Sequence, residues 1–397
     1  IQSTVKQAGL LKKPCSKNVA KYLKDVTMID TIKLVLPFSK RPHWYEKARF
    51  QHGFDADTGL FKAVANPSSE NKKKGIYQPR LTYTERPVRG GKNYELAIEL
   101  SLPKLMFNNN FSELDDADFE AVVKKLSDTI RTTYGIWLFP HQIRQASVRK
   151  IDYSKNIIFT DRTPVSNVLA NVRTADVSKV YDIQNTDFRN GGHVYHIHSN
   201  SLDIAIYDKV ADLKQERISP KRSREKDGYV QMNLLDELEC QKTVTVTRLE
   251  VRLNGLRKIR SELAKVGVTH GITFAEMYSS DTSQKILMRH WKNIFDRIPK
   301  GLLDSDTAEH LLINIKKANE DMKMTEALAR VGYAYLRQDK DERYVRNLLE
   351  GLFNPSQYRR FKQKSREPPN PTQLKTLLHI TNTLTAMTPV SIEDYTF

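Results

Sequence analysis

Gly191-Gly-His-Val-Tyr-His-Ile-His-Ser-Asn-Ser-Leu-Asp-Ile-Ala-Ile-Tyr-Asp-Lys209 is the stretch on which the reading of this chain turns. Two runs rich in β-formers, His193–His198 and Leu202–Lys209, flank the polar triplet Ser199-Asn200-Ser201, the pattern of a β-hairpin. With the turn centred on Asn200, His196 pairs with Ile204, His198 with Leu202 and His193 with Tyr207. That register puts His196 and His198 on the apolar face, opposite Tyr207, and a slip of one residue reverses it. The stretch gathers reactive groups. Tyr207 is a candidate nucleophile, Lys209 a cation able to favour its phenolate, and His193 an auxiliary group beside it. His196-Ile-His198 has the spacing of a His-hydrophobe-His metal site, against which stands the plainer reading of structural or DNA-contacting histidines.

Upstream of the hairpin, Met28–Phe38 reads as a strand interrupted at Pro37, and residues 39–76 as a loop-rich stretch. Period-two alternation returns at Tyr77–Tyr83 and Tyr94–Leu102, where Leu96, Ile98 and Leu100 point one way and Glu95, Ala97 and Glu99 the other. Asp115–Tyr134 has helical spacing, with acidic residues at its start and Gly135 at its end. Ile143–Phe159 alternates again and carries Asp152, Val165–Thr174 is helical, and Thr243–Leu253 is a strand carrying Glu250. The order strand, helix, strand, strand occurs at least once, and a second copy is a candidate. The expected fold is therefore α+β, an antiparallel-sheet region built on such units and followed by a mostly helical region.

Helical patterns fill the chain beyond Gly255: Leu256–Val266, Phe274–Tyr278, Ser283–Phe295, Thr307–Asn319, Met324–Arg337 and Tyr358–Arg366. Pro368-Pro-Asn-Pro371 ends the last of these, leaving what reads as a short terminal appendage. The expected organisation is a basic arm over 1–25, an α+β catalytic region over 26–255 with a charged loop near 211–230, and a helical, DNA-binding region over 256–397.

Charge narrows the partners. Against 64 Lys+Arg stand 47 Asp+Glu, a formal net charge of +17 with pI near 9.6, which makes a polyanion the default partner and nucleic acid a better one than a membrane. No apolar run approaches the ~20 residues needed to span a bilayer. Cys15 and Cys240 are the only cysteines, without CxxC spacing, so neither a disulfide framework nor a thiolate zinc site is expected, and a reducing cytoplasmic compartment fits. Candidate DNA contacts are the lysines of the arm, Lys221, Arg222 and Arg224 of the charged loop, and Arg359, Arg360, Lys362 and Lys364. The last four fall where Tyr358–Arg366 interleaves aromatics with cations. A solvated terminus, loop and helix face would show the same composition.

Five segments taken in order resemble the filamentous-phage gene II replication protein family: Met28-Ile-Asp-Thr-Ile-Lys-Leu-Val-Leu-Pro-Phe38, the Glu99 strand with Ser101-Leu-Pro-Lys-Leu105, Arg149-Lys-Ile-Asp152, Ile206-Tyr-Asp-Lys209 and Arg248-Leu-Glu-Val-Arg252. Gly332-Tyr-Ala-Tyr-Leu-Arg337 and Ser356-Gln-Tyr-Arg-Arg-Phe361 extend the likeness over most of residues 26–370. More distantly the chain is similar to the trans-acting plasmid rolling-circle initiators. The resemblance implies a rolling-circle replication initiator in a bacterial host cell, encoded by a phage or plasmid. Such an enzyme is a metal-dependent, strand-specific endonuclease and ligase that nicks origin DNA through a 5′-phosphotyrosyl intermediate. It implies Tyr207 as nucleophile and Glu99, Asp152 and Glu250 as ligands of Mg²⁺ or Mn²⁺, with His196 and His198 as the alternative ligands. Hard carboxylate oxygens suit those ions, and a metal suits the extra charge of a phosphoryl transition state. The implied partners are supercoiled and single-stranded origin DNA and a host helicase, with the protein a monomer or dimer. A conjugative relaxase with the same chemistry and a non-catalytic, sequence-specific DNA-binding regulator are the competing readings. Duplex recognition is expected in the helical region, through a helix in the major groove.

Overall fold

Period-two alternation in the central strands sorts side chains onto two faces, and the fold follows from covering one of them. The computed structural model describes residues 28–391 except 49, 56–58, 69, 72–75, 162, 182–184, 190–193, 213–243, 299–307, 319, 339–341 and 365–370. The strands are β1 (Ile29–Phe38), β2 (Gln51–Asp55), β3 (Leu60–Ala65), β4 (Arg80–Val88), β5 (Gly91–Ser101), β6 (Ser147–Phe159), β7 (Asn185–Arg189), β8 (Val194–His198), β9 (Leu202–Asp208) and β10 (Thr245–Asn254). They form one ten-stranded antiparallel sheet in the order β2-β3-β4-β5-β1-β6-β10-β9-β8-β7.

That order contains a repeat larger than the strand-helix-strand-strand unit expected from the sequence. β1 is followed by the meander β2–β5, whose last strand pairs with β1. β6 is followed by the meander β7–β10, whose last strand pairs with β6. The two five-stranded halves join through the antiparallel β1–β6 pair. Each meander runs straight into a helix, β5 into α1 (Leu102–Phe107) and β10, through Gly255, into α5 (Leu256–Lys265). Gly255 makes that corner at φ 89°, a left-handed angle that glycine adopts without a Cβ clash, and its N–H donates to the Arg149 carbonyl at 2.8 Å.

Ile32 and Leu34 of β1, Leu96 and Ile98 of β5, Ile151 and Tyr153 of β6, Leu249 and Val251 of β10, and Ile204 and Ile206 of β9 share one buried core with the helices. The helices before and beside α5 are α2 (Phe119–Tyr134), α3 (Pro140–Arg144), α4 (Val165–Arg173), α6 (Phe274–Met277) and α7 (Ser280–Phe295). α2 buries Val122, Val123, Leu126 and Ile130, the stripe its spacing predicts. Its entry is set by the reciprocal Asp115–Asp118 capping box and its exit by Gly135 in the left-handed region.

Three expectations are corrected here. Residues 39–76 contain β2 and β3, the outer strands of the first meander; short strands at an edge carry too few residues for alternation to stand out. The terminal segment is not an appendage. It forms α12 (Pro371–Ala386), whose Leu377, Ile380 and Leu384 are buried in the main core, with Trp291 Nε1 of α7 donating to Thr381 Oγ1 at 2.8 Å. The change of character at Gly255 also separates strand from helix rather than one core from another, because α5–α7 and α12 complete the sheet's core. The remaining helices, α8 (Ala308–Ala318), α9 (Met324–Gln338), α10 (Glu342–Leu352) and α11 (Pro355–Lys364), have their own cluster around Ile315, Val331, Tyr333, Val345 and Tyr358. Arg346 of α10 ties this cluster to the main body through Asp176 Oδ2 at 3.2 Å.

Candidate active site

The face of the second half opposite the core helices carries the candidate chemistry. Cross-strand partners share a face, so the register gives two charged rows directly: Asp152, Arg252, Asp203 and His198 in one, Ser154, Glu250, Ala205 and His196 in the next. A third row holds Asn156, Arg248, Tyr207 and Val194. Rows are about 7 Å apart, two residues along a strand.

The hairpin register overturns the expected one. Ser199 N–H donates to the Leu202 carbonyl at 2.9 Å, so the loop has two central residues, Asn200 and Ser201, instead of a turn centred on Asn200. Changing the loop length by one changes the register by one and flips β8. His196 pairs with Ala205 and His198 with Asp203, both on the face of Tyr207, while Tyr195 and Ile197 turn into the core. Val194, not His193, stands opposite Tyr207; His193 itself lies outside the described residues.

His196, His198 and Asp203 consequently offer three ligand atoms within 4.8 Å of one another, a group that could hold a metal ion and the only such group of three or more among the described residues. His198 Nδ1 contacts Asp203 Oδ1, His196 Nε2 lies 4.0 Å from the same oxygen, and the imidazole centroids are 5.7 Å apart. The residues fit a cation on chemical grounds. Two imidazoles and a carboxylate, His196 and Asp203 partly buried and His198 exposed, form a borderline nitrogen and oxygen donor set, which suits Mn²⁺ or Zn²⁺ better than Mg²⁺. Asp203 escaped the sequence reading. The signal for it was symmetry: His198 and Asp203 flank a four-residue turn, and such residues pair across a two-residue hairpin loop.

The three carboxylates implied by the family resemblance are arranged differently. Glu99 lies on β5, separated from β6 by β1, and Lys150 Nζ bridges it to Asp152 at 3.2 and 3.4 Å. Glu250 is 3 % exposed and gripped by both arms of Arg252, Nε and Nη2 donating at 2.9 Å each. Each of the three carboxylates already faces a cation, and their oxygens are not brought together as a common ligand set. Lys150 and Arg252 each stand two residues along the strand from Asp152 and Glu250, on the same face, whereas the Lys150–Glu99 pair is made across strands and is not announced by the sequence.

Tyr207 is 8 % exposed, and its hydroxyl donates to Glu250 Oε2 at 3.2 Å. Burial, then the charge of Glu250, pushes the phenol well above its ordinary value. Burial also opposes the charge on Glu250, but Arg252, and after it Arg248 and Lys209, outweigh that and hold the carboxyl below the usual range. The Lys209 ammonium stands 6.0 Å from the Tyr207 ring centroid and 3.8 Å from Asp212, and its charge also favours the Glu250 carboxylate. Arg248, which the sequence reading passed over, is fully buried beside Tyr207, donating from Nε to Asn156 Oδ1 at 2.8 Å and from Nη2 to the Asn110 carbonyl. Asp152 is 4 % exposed; burial, with a contribution from Glu250, pushes its carboxyl up to about 7 against the pull of Lys150. Its Oδ1 has no hydrogen-bond partner among the described residues.

Of the expected DNA contacts, Arg359 and Arg360 are exposed on α11, and the side chains of Lys362 and Lys364, with the basic arm, Lys221, Arg222 and Arg224, lie outside the described residues. No helix among the described residues is long and apolar enough to cross a membrane. No protein-family model, curated protein or solved structure gives a significant match to the chain.

Proposed function

We propose that this chain is a DNA strand-nicking and rejoining enzyme of the rolling-circle type, with Tyr207 as nucleophile and His196, His198 and Asp203 as the metal ligands. The observation that carries this reading is the placement of a hydrogen-bonded phenol on the same sheet face as a metal-capable donor group, one and two rows away. His196, His198 and Asp203 would hold a divalent cation there, which would supply polarisation of a phosphodiester's non-bridging oxygens and charge to offset that of the transition state. Tyr207 Oη forms the bond to phosphorus as the bond to the 3′ oxygen breaks. Glu250 Oε2, held ionised by Arg252, accepts the phenol's hydrogen bond and orients it; the proton passes to water as the bond to phosphorus forms, and the departing 3′ oxygen takes a proton from water to leave a free 3′ hydroxyl. The 5′-phosphotyrosyl bond conserves the energy for rejoining. Arg248 and Arg252 supply the positive potential that a phosphate meets on this face. The mixed donor set makes Mn²⁺ a better activator than Mg²⁺.

A second reading, the non-catalytic DNA-binding regulator, has one observation in its favour: Tyr207 is buried and its acceptor is already held by Arg252. Covalent capture separates the two. The full chain with Mn²⁺ is incubated with a random single-stranded DNA library, and protein–DNA adducts that survive denaturation are collected and sequenced. The enzyme gives adducts on a defined sequence, and Tyr207→Phe eliminates them. Adducts from Tyr207→Phe, or none from the wild type under any divalent metal, remove Tyr207 from the role assigned to it.

A further inference from the structure

The geometry points to α11 as the recognition helix of a helix-turn-helix element that reads duplex DNA in the major groove, with α10 as the helix before it. This surface lies apart from the nicking site and does not depend on the nicking reaction. α10 ends where Phe353 N–H donates to the Leu349 carbonyl at 2.8 Å, and only Phe353 and Asn354 separate it from α11. Asn354 starts the new helix, its Oδ1 accepting from Ser356 N at 2.9 Å and its carbonyl from Gln357 N at 2.8 Å. So short and capped a connection holds α11 at a fixed angle to α10, as base reading requires.

The two sides of α11 differ. Tyr358 is buried, with its hydroxyl 3.2 Å from that of Tyr333 on α9, and Phe361 meets the Tyr333 ring edge-on at 5.2 Å. These residues, three apart, lock the inner side to the helical cluster. On the outer side Gln357, Arg359 and Arg360 are exposed, and neither arginine makes an ion pair among the described residues. Among the described side chains of the neighbouring helices, Arg330 is engaged with Glu326 at 3.0 Å and Arg346 with Asp176. Between Pro355 and Lys364 there is no acidic residue and there are four basic ones. Charge complementarity therefore selects a polyanion. Gln357 and Arg360, one turn apart near the start of the helix, are the residue types that bond adenine and guanine edges bidentately.

The test uses the full chain and a random-sequence 30-base-pair duplex library taken through repeated selection, followed by affinity for the enriched duplex by fluorescence anisotropy. The wild type is expected to enrich one sequence. Arg359→Ala with Arg360→Ala is expected to weaken binding at least tenfold and to flatten the salt dependence by about one unit of log–log slope per lost phosphate contact. Gln357→Ala is expected to narrow the gap between enriched and scrambled duplex. Failure to enrich any sequence, wild-type affinity in the double arginine variant, or tighter binding of the corresponding single strand than of the duplex would each overturn the inference. A chain that selects duplex but forms no covalent adduct leaves α11 as assigned and removes only the nicking function.

Discussion

The two ends of the polar face solve opposite problems. At the centre of the sheet Glu99, Asp152 and Glu250 are carboxylates matched to cations, Lys150 for the first two and Arg252 for the third. At the β8–β9 end, His196 and His198 share one carboxylate, Asp203, in a group with room for a shared ligand. A carboxylate held by a guanidinium fork has its lone pairs directed and its charge cancelled, so it is a poor ligand for a second cation. A deprotonated imidazole carries no charge and presents its lone pair at little electrostatic cost. Proximity to negative charge is therefore a weaker guide to a metal site than the absence of a resident counter-charge.

The comparison breaks most sharply at the histidines. His196→Ala combined with His198→Ala should abolish Mn²⁺ binding measured by isothermal titration, whereas Glu99→Gln should leave it intact; binding that survives in the double variant and disappears in Glu99→Gln would restore the carboxylate site. Next in size is the Glu250–Arg252 pair. Arg252→Met strands a buried carboxylate and should lower unfolding free energy by about 3 kcal/mol, the low end for broken buried pairs because Arg248 and Lys209 still lend positive potential. Urea unfolding checks it, and a change within error would mean that Glu250 relaxes into solvent.

A smaller effect, but one with a distinctive sign, belongs to Asp152. Its carboxyl binds a proton more tightly folded than unfolded, so its contribution to stability is full below about pH 4 and disappears as pH rises through about 7. Asp152→Asn should flatten that decline, with little change at pH 4 and a higher urea midpoint than wild type at pH 8. Parallel pH profiles for the two proteins would exclude the raised pKa. Smallest of all, Glu99→Gln removes a partly exposed ion pair with Lys150 and should change stability by less than about 1 kcal/mol. A larger loss would show that Lys150 depends on Glu99 more than on Asp152.

Much of this arrangement is legible in the residues themselves. β1, β5, β6, β9 and β10 and the helices α2, α4, α5 and α9 follow from apolar periodicity, because each has enough turns or pleats for the repeat to register. β2, β3 and β7 do not, being short outer strands of the two meanders. α12 is misjudged because two prolines precede it, a third opens it, and its apolar residues are spaced among threonines; what makes it part of the protein's core is Trp291 and its neighbours, Trp291 standing 90 residues before its partner Thr381. Tyr207 and the His-Ile-His pair stand out by residue type, whereas Asp203 becomes a partner only when the hairpin register brings it opposite His198.

The sequence by itself determined that Tyr207, Glu250, Asp152 and the two histidines sit on β-strands, that the chain is α+β with a helical C-terminal region, and that it carries a large excess of positive charge. The tertiary structure alone decided which of those side chains meet. Strand periodicity is exactly two residues, so a single residue of loop length, Asn200-Ser201 in place of a turn centred on Asn200, moves both histidines from the apolar face to the face of Tyr207. Whether a carboxylate is free to bind a metal depends on whether a cation of its own or a neighbouring strand comes within about 3 Å, and that is a property of the assembled sheet.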